Sequence, residues 1–381
     1  MSAGRRCIAT TEPRDGAVTI LGGGIAGLAC AIACALRGRD VTLVEQASAL
    51  SEVGAGLQIA PNGGRVLDAL GVTPRAVDNA AIHLVDGPTG RSVIRTPLGP
   101  GFRFVHRADL IAALAARAAA AGVTVRLDTK VETVERGGRA LRLSDGGTLA
   151  ADRLVGADGV RGAARAFVAP DHRPAFTGQV AWRAVVPVAD WPREARIHAG
   201  PGRHLLCYPL RDGTALNLVA VEERDAWVAD GWSRSDTPDA LRRAFAGFAN
   251  PVPELLARVR RVHLWGLMDH GATPRWHRGA CTLIGDAAHP TLPFLAQGAN
   301  LALEDAWTLA ASLDDPAAWE RVRRPRVARA LGAARGNARN YHLSGLRRWA
   351  AHTALRGLDR LRPAALGESY RWLHDHDVTR P

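Results

Sequence analysis

Ala17-Val-Thr-Ile-Leu-Gly22-Gly-Gly24-Ile-Ala-Gly27-Leu-Ala-Cys30, close to the amino terminus, is the stretch whose reading decides the fold. Ala17–Leu21 is a short apolar run ending in glycines, the profile of a strand buried on both faces of a parallel sheet. Residues 25–37 follow as a helix of small side chains closed by Gly38, and Asp40-Val-Thr-Leu-Val-Glu45 is a second buried strand. Strand, helix and strand within about 30 residues make a βαβ unit. Across its first turn, Gly22, Gly24 and Gly27 have a spacing with a physical purpose. Gly22 permits the tight turn, Gly24 lets the backbone approach a pyrophosphate, and Gly27 lets the helix pack closely on the strand. The helix start offers unbonded amides and the positive end of its dipole to phosphates. Glu45, at the tip of the second strand, is placed to accept hydrogen bonds from a ribose. These features read as a dinucleotide site and do not by themselves separate FAD from NAD.

Working outward, residues 108–121 form an alanine-rich helix ended by Gly122. Segments at 123–127, 130–135, 139–143 and 148–150, split by paired glycines, read as an antiparallel meander. Leu154-Val-Gly-Ala-Asp158-Gly159 is another buried strand with a glycine turn. Between about 176 and 270 the texture changes. Strand-like stretches at 179–188, 194–198, 203–210 and 215–221 are separated by Pro, Gly and Asp, and helices near 237–248 and 253–260 lead into Val262–Met268. Residues 280–285 return to buried-strand character, and helices dominate from 299 to 360. The class is therefore α/β: a Rossmann-like dinucleotide-binding domain from 17–75, 101–175 and 271–365, with an inserted, mostly antiparallel β-sheet domain from 76–100 and 176–270 and a C-terminal helical region. Residues 1–16, polar and broken by Pro13 and Gly16, read as a flexible tail.

The chain of 381 residues is long enough to bury a core without disulfides or metals. Its 49 basic and 37 acidic residues leave a charge of +12, yet Lys130 is the one lysine and arginine is spread over the whole length. A nucleic-acid surface would gather that charge on one face, so nucleic acid is not an expected partner. Five cysteines (7, 30, 34, 207, 281) without a CxxC pair point to a reducing compartment. The uncharged stretch Gly16–Leu36 is interrupted by four glycines, which argues against a membrane span, and the chain reads as soluble and cytoplasmic.

A second constellation narrows the cofactor. Leu283-Ile-Gly285-Asp286-Ala-Ala-His289-Pro290 places an Asp beside a Gly at a buried strand end, then a Pro-containing loop, then a helix near Asn300. That aims a second helix N-terminus at something partly negative, such as a flavin pyrimidine edge. Here the sequence closely resembles the single-component FAD-dependent aromatic hydroxylases, the flavoprotein monooxygenases that include salicylate and hydroxybenzoate hydroxylases. The matching residues are the glycine turn with Glu45, Glu52-Val-Gly-Ala-Gly56-Leu-Gln-Ile-Ala-Pro-Asn62, His106-Arg107-Ala-Asp-Leu110, Gly156-Ala-Asp158-Gly159, and Gly285-Asp286 through Glu304-Asp305.

The resemblance implies FAD as cofactor, NADH or NADPH as co-substrate, and an aromatic substrate that takes one oxygen of dioxygen by way of a flavin hydroperoxide. Its cofactor-binding set would be Gly22, Gly24, Ala26, Gly27, Glu45, Gln46, Arg107, Asp158, Asp286, Pro293, Gly298, Ala299 and Asn300. Within it, Glu45 would hold the ribose, Arg107 and Asp286 the phosphate and ribityl region, and Pro293 with Gly298-Ala299-Asn300 the isoalloxazine. Asp158 would be structural, near the nicotinamide path, and a helix-capping role is the plain alternative for Asp286. Gly162 stands where the family usually has a Ser. No second GxGxxG unit exists, so the nicotinamide cofactor would bind without a domain of its own, to a monomer or homodimer.

In the inserted unit, period 2 puts His204, Leu206 and Tyr208 on one strand face, with Cys207 pointing away. Members acting on phenolic acids or hydroxypyridines have a His-x-x-x-Tyr here, which makes His204 the implied base and Tyr208 its catalytic companion. A phenolate directs electrophilic oxygen better than a phenol does, and a neutral imidazole with a pKa near ~6.5 can take that proton. Arg183, beside Trp182, could meet a substrate carboxylate, and Gln297 is the other substrate-binding candidate. His374-Asp-His376-Asp has a metal-like look but no further ligands nearby, so no metal is expected. The arginine-rich helix near 320–340 reads as a solvated face, and the tryptophans read mostly as core. A flavin-dependent epoxidase or reductase, and a flavin-free NAD(P)-binding dehydrogenase or regulatory module, stay open as alternatives.

Overall fold

The computed structural model describes residues 16–50, 56–227, 233–271 and 273–380. The tail, Cys7 and Glu52–Ala55 of the second motif thus lie outside the described residues, apart from Gly16. In chain order the first elements are β1 (Val18–Leu21), α1 (Ile25–Ala35), β2 (Val41–Val44), β3 (Gly56–Ile59) and α2 (Pro61–Leu70). Then come β4 (Ala76–Asp78), β5 (Ala81–Asp86), β6 (Ser92–Pro97), β7 (Arg103–His106), α3 (Arg107–Ala120) and β8 (Thr124–Arg126). β9 (Val131–Glu135), β10 (Ala140–Leu143), β11 (Thr148–Ala150), β12 (Arg153–Gly156) and α4 (Ala163–Val168) complete the first half.

A six-stranded sheet in the order β19–β20–β12–β1–β2–β8, whose last two-residue strand β19 is His277–Arg278 and whose β20 is Cys281–Leu283, is parallel except at β19. Every residue of β1 is buried, as are all α1 positions from Ile25 to Cys34, which lie between the sheet and helix α7 (Gly298–Ala310). That is why the helix is built of Ala, Cys and Gly: only small side chains fit a helix covered all round. The meander is shorter than the sequence pattern suggests. β9, β10 and β11 form it, whereas β8 pairs in parallel with β2. The chain reaches β8 through α3 from β7, a strand of another sheet, so it is the pairing of Thr42–Val44 with Thr124–Arg126, far apart in sequence, that places β8 at the edge of the parallel sheet.

The second large sheet has eight strands. β13 (Ala175–Pro187), β14 (Glu194–Gly200), β15 (Arg203–Leu210), β16 (Ala215–Glu223), β17 (Ser233–Asp236) and β18 (Val262–Asp269) combine with the hairpin β5–β6 in the order β17–β18–β13–β16–β15–β14–β5–β6. All neighbours are antiparallel except β14 and β5. One face packs Trp182, Leu205, Cys207, Leu216 and Leu218 against Leu241 of α5 (Pro238–Ala244), Phe245 just after that helix and Leu255 of α6 (Val252–Ala257). Each such large side chain contributes about 1.5–3 kcal/mol on burial. By register the other face carries Ala181, Arg183, His204, Leu206, Tyr208 and Asn217, so Arg183 and His204 share a face that strand parity alone could not relate. A small sheet, β3–β7–β4, lies beside it and stacks Phe104 on Tyr208.

α8 (Pro316–Asn340) and α9 (Gly345–Leu361) precede two short helices, α10 (Ala365–Ser369) and α11 (Arg371–His374). α8 corrects the expectation of a solvated arginine face. Arg323 is buried against Glu304 and Asp305, and Arg326 bonds Glu304 and the carbonyls of Trp372 and Leu373. Two acids sunk inside α7 demand these partners, since a buried charge without one is costly.

Candidate functional site

Three glycines of the first turn do different work. Gly22 has φ +109°, and a Cβ there would lie 2.4 Å from the Ala157 carbonyl oxygen; at Gly27 it would lie 1.9 Å from that of Gly22. Both sites are closed by backbone. A Cβ on Gly24 would meet nothing within 4 Å, so the turn leaves a cradle over the start of α1. The first bond inside that helix runs from the Leu28 amide to the Gly24 carbonyl at 2.9 Å, and the amides of Ile25, Ala26 and Gly27 therefore lack an intrahelical acceptor. Glu45 accepts from the Gly23 amide at 2.6 Å and the Ala47 amide at 2.9 Å. Each carboxylate oxygen retains a lone pair, so Glu45 braces the turn and could still accept from a ribose. Gln46 is exposed beside it. Ala26 faces Gly285, where an added Cβ would lie 2.9 Å away; its side chain locks α1 to the second motif.

That motif is a turn at Gly285–Ala287 following β20. Asp286 is exposed and caps no helix, which sets aside its capping alternative. The turn is held from behind. Asp305 Oδ2 accepts from the Gly285 amide at 3.1 Å and meets His289 Nε2 at 2.5 Å, while Arg165 donates to the carbonyls of Asp286 and Ala287 at 3.2 and 2.7 Å. Burial would push the Asp305 carboxyl up, but His289 and Arg323 outweigh it and hold it well below the carboxylate range. Pro293 opens a short turn that ends at Ala296 with φ +52°, and α7 begins at Gly298.

The side chains at the start of α7 serve the framework. Asn300 accepts from the Ala60 amide at 2.9 Å and donates to the Gln58 and Ala296 carbonyls at 3.1 and 2.8 Å. Gln297 Oε1 accepts from Asn62 Nδ2 at 3.1 Å, and the same Asn62 donates to Glu304 at 2.7 Å. Gln297 is buried, and with its Oε1 engaged by Asn62 its amide nitrogen is what it could offer a substrate. What Gly298, Ala299 and Asn300 can present outward is their backbone amides. Asp158, which the resemblance counts in the cofactor set and makes structural, braces a helix. Its Oδ2 accepts from the Ala164 amide at 2.8 Å and so caps α4. A Cβ on Gly162 would lie 1.8 Å from Asp158 Cγ, so the absence of a side chain there lets this carboxylate fold over the turn. Burial pushes the Asp158 carboxyl up to about 7.

Facing this cradle is the inner side of the eight-stranded sheet. Arg107, at the start of α3, shares its electrostatic surroundings with Asp286 and Arg183; burial lowers both guanidinium pKa values, and Asp286 opposes it. The Arg183 guanidinium lies 5.7 Å from the centre of the Trp265 ring, and its Nε is buried with no hydrogen-bond partner among the described residues. Tyr208 stacks on Phe104 with ring centres 4.8 Å apart. A Cβ on Gly56 would meet the Tyr208 ring at 2.6 Å, and Asn217 fixes that glycine by accepting from its amide at 2.9 Å. Burial raises the Tyr208 phenol well above its ordinary value.

His204 is buried on this face against Phe294 of the Pro293 turn and against Tyr341. Its Nδ1 meets His342 Nε2 at 2.7 Å, and His342 Nδ1 meets Glu223 Oε1 at 2.8 Å and Gln179 Nε2 at 3.2 Å. Burial first, and His342 second, hold the His204 imidazole well below its ordinary pKa. Sequence reasoning missed His342, Glu223 and Gln179. No local pattern joins His204 to a histidine 138 positions away. His374 packs edge-on against Phe102 at 4.9 Å, and among the described residues no group of three or more His, Cys, Asp or Glu gathers to hold a metal ion. Nor, among them, is any helix long and apolar enough to cross a membrane.

An open cradle at Gly24, two helix starts and a neighbouring Arg–Asp pair suit a group that is anionic at its centre and polar at a flat end, as FAD is. Residues 15–321 match the model of the FAD binding domain family. The chain is 35% identical over 363 residues to 3-amino-4-hydroxybenzoate 2-monooxygenase of Streptomyces platensis, covering 88% of this chain and 90% of that one. It is 35% identical to 3-hydroxybenzoate 6-hydroxylase of Klebsiella oxytoca, covering 86% and 89%. A solved salicylate hydroxylase with its substrate superposes with a TM-score of 0.78 at 26% identity, over 96% of this chain and 97% of that one. With the cradle, the Asp286 turn and the facing sheet all in place, this chain belongs to the single-component FAD-dependent aromatic hydroxylases.

Proposed function

We propose that this monooxygenase hydroxylates an aromatic ring bearing both a hydroxyl and a carboxylate, of the hydroxybenzoate or hydroxypyridine-carboxylate class, with NAD(P)H as electron donor and dioxygen as oxygen source. The carrying observation is Arg183. A guanidinium with a buried, unpartnered Nε on the inner sheet face, flanked by Trp265, suits an anionic group on a flat ring, because such a cation gains most from a charge-assisted, bidentate partner. The names of the hydroxybenzoate-acting relatives fit the same class.

The oxygen chemistry is what bound FAD supplies. The chain's own residues would divide the remaining tasks. The amides of Ile25, Ala26 and Gly27, with the opening at Gly24, hold the pyrophosphate; Glu45 takes the ribose; Arg107 and Asp286 take the phosphate and ribityl region. Pro293 and the amides at Gly298, Ala299 and Asn300 lie against the ring system. Arg183 anchors the carboxylate, Tyr208 orients the ring, and His204 takes the hydroxyl proton. Leu206 and Phe294 keep water from the reacting atoms. In this reading the eight-stranded sheet with its helices is the substrate domain and the remainder the FAD domain.

The test is NAD(P)H-driven flavin reduction by the purified yellow protein across hydroxybenzoates, hydroxypyridine carboxylates and the same rings lacking the carboxylate, with products weighed by mass spectrometry. Carboxylated phenols should stimulate reduction and gain one oxygen atom. Equal stimulation by rings without a carboxylate would remove Arg183 from the reading.

A further inference from the structure

We propose that His204, His342 and Glu223 form a proton relay that carries the substrate's hydroxyl proton from the buried sheet face to solvent and fixes both imidazoles in the tautomer that work requires. This rests on the reading of His204 as the base. The links are 2.7 Å from His204 Nδ1 to His342 Nε2 and 2.8 Å from His342 Nδ1 to Glu223 Oε1. Burial falls off along the line in one direction. Both histidines are buried, whereas the Glu223 side chain is 54% exposed.

The carboxylate sets the polarity of the chain. Glu223 can only accept, so His342 donates from Nδ1 across the shorter, 2.8 Å contact rather than accepting there from Gln179 Nε2 at 3.2 Å, and its Nε2 is left as a lone pair. That lone pair in turn must accept, so His204 donates from Nδ1 and its Nε2 is bare. Among the described residues His204 Nε2 has no hydrogen-bond partner. A single exposed acid thereby prepares a base two rings away. The same logic orders the imidazole of a Ser-His-Asp triad, extended here by one ring.

The relay also answers a physical objection to His204. An imidazole this deeply buried resists becoming a cation, so a base at this place has to pass its charge on. When the substrate hydroxyl proton binds His204 Nε2, the Nδ1 proton moves to His342 Nε2 and the His342 Nδ1 proton moves to Glu223, which exchanges it with water. One proton enters and one leaves. When the product oxygen is reprotonated, the three transfers run backward and restore the starting tautomers. Besides Glu223 and Gln179, the charged group that bears on His342 is Arg203, next to His204 on β15, and it disfavours a cation there. Tyr341 and Phe294 enclose His204 with no charge of their own.

Long-range proton–nitrogen NMR spectra of the holoenzyme labelled with ¹⁵N-histidine test this, with His204→Asn and His342→Asn used to assign the two rings. At pH 7 both should be neutral Nδ1–H tautomers with bare Nε2 atoms. Glu223→Gln, a surface change that leaves folding intact, should shift His342 toward mixed tautomers. An Nε2–H tautomer at His204, or tautomers in Glu223→Gln identical to the parent, would overturn the relay. Hydroxylation of the compound that stimulates flavin reduction separates the two levels. His204→Asn and His342→Asn should each slow it by about 10²-fold or more. If His204→Asn hydroxylates at the parent rate, the base assignment fails; if it slows and both relay variants do not, the relay alone fails.

Discussion

Replacing Arg323 with Met should destabilise the protein and loosen its hold on FAD together. Arg323 Nη1 lies 2.7 Å from Glu304 Oε2, and Nη2 and Nε lie 2.8 and 3.1 Å from Asp305 Oδ1, in a side chain 3% exposed. Removing one partner of a buried ion pair costs about 3–5 kcal/mol, because the charge left behind is neither solvated nor neutralised. Here the remaining acids are not abandoned. Glu304 keeps both contacts to Arg326 at 2.7 and 2.8 Å, and Asp305 keeps His289. The expected loss therefore sits near the lower end, about 3 kcal/mol. At about 2 °C per kcal/mol that is a fall of about 6 °C in melting temperature. Because Asp305 also anchors the Gly285 amide, the turn carrying Asp286 should slacken, and FAD titrated into the apo-protein should bind more weakly. Thermal melts and flavin fluorescence read the two effects. The double variant Arg323→Met with Asp305→Asn should recover part of the melting temperature, since it deletes one of the two buried acid charges that Arg323 had balanced. A single variant that melts within about 1 °C of the parent, or a double variant no better than the single, would refute the desolvation argument.

Gly24→Val should fold normally yet lose FAD, because its side chain fills the cradle, whereas Gly27→Ala should impair folding itself, since its Cβ would lie 1.9 Å from the Gly22 carbonyl; circular dichroism with bound-flavin content separates the two. Asp158 titrates near 7 when folded against about 3.9 unfolded, so the folded state holds the extra proton and this residue's contribution to stability is lost as pH rises between those values. Asp158→Asn keeps an acceptor for the Ala164 amide and should gain stability relative to the parent at pH 8 but not at pH 4, as measured by melting at each pH. Arg183→Met should weaken binding of 3-hydroxybenzoate by about 10–100-fold, the worth of a charge-assisted hydrogen bond, and leave phenol binding unchanged; equal loss for both ligands in a flavin difference titration would assign Arg183 to packing.

The βαβ unit was legible because each of its features is local: a strand that ends in glycine, a helix of small residues, a carboxylate at a strand tip. The sharing of a face by His204 and Tyr208 was legible for the same reason, since alternation along one strand needs no partner. What stayed hidden depends on distant contacts. Nothing near Arg323 tells that α7 buries Glu304 and Asp305 opposite it, so an arginine-rich helix read as solvated. β8 resembled its neighbours in the meander because short alternating strands look alike, and only its distant pairing with β2 assigns it to the parallel sheet. Gly162 was visible as a departure, but the Asp158 carboxylate folded over it exists only in three dimensions. His342 and Glu223 carried no pattern at all.

The parallel contact between β14 and β5 has a consequence for how the chain comes to be folded. The eight-stranded sheet recruits its outer hairpin, Ala81–Pro97, from a part of the chain made about 100 residues before the strand it joins, since Ala81 pairs with Glu194. During synthesis that hairpin emerges early with one edge of backbone donors and acceptors unpaired. It has to wait for β14 and β15 to follow, and an open strand edge is the kind of surface that pairs with other chains. Contacts of such long sequence separation form slowly, because a long loop must close before they repay its entropy. The vulnerable interval in the life of this enzyme is therefore the gap between residues 97 and 194, when two of the sheet's eight strands are present without the one they join. Slower elongation or a higher concentration of nascent chains should raise aggregation there rather than at the cofactor cradle.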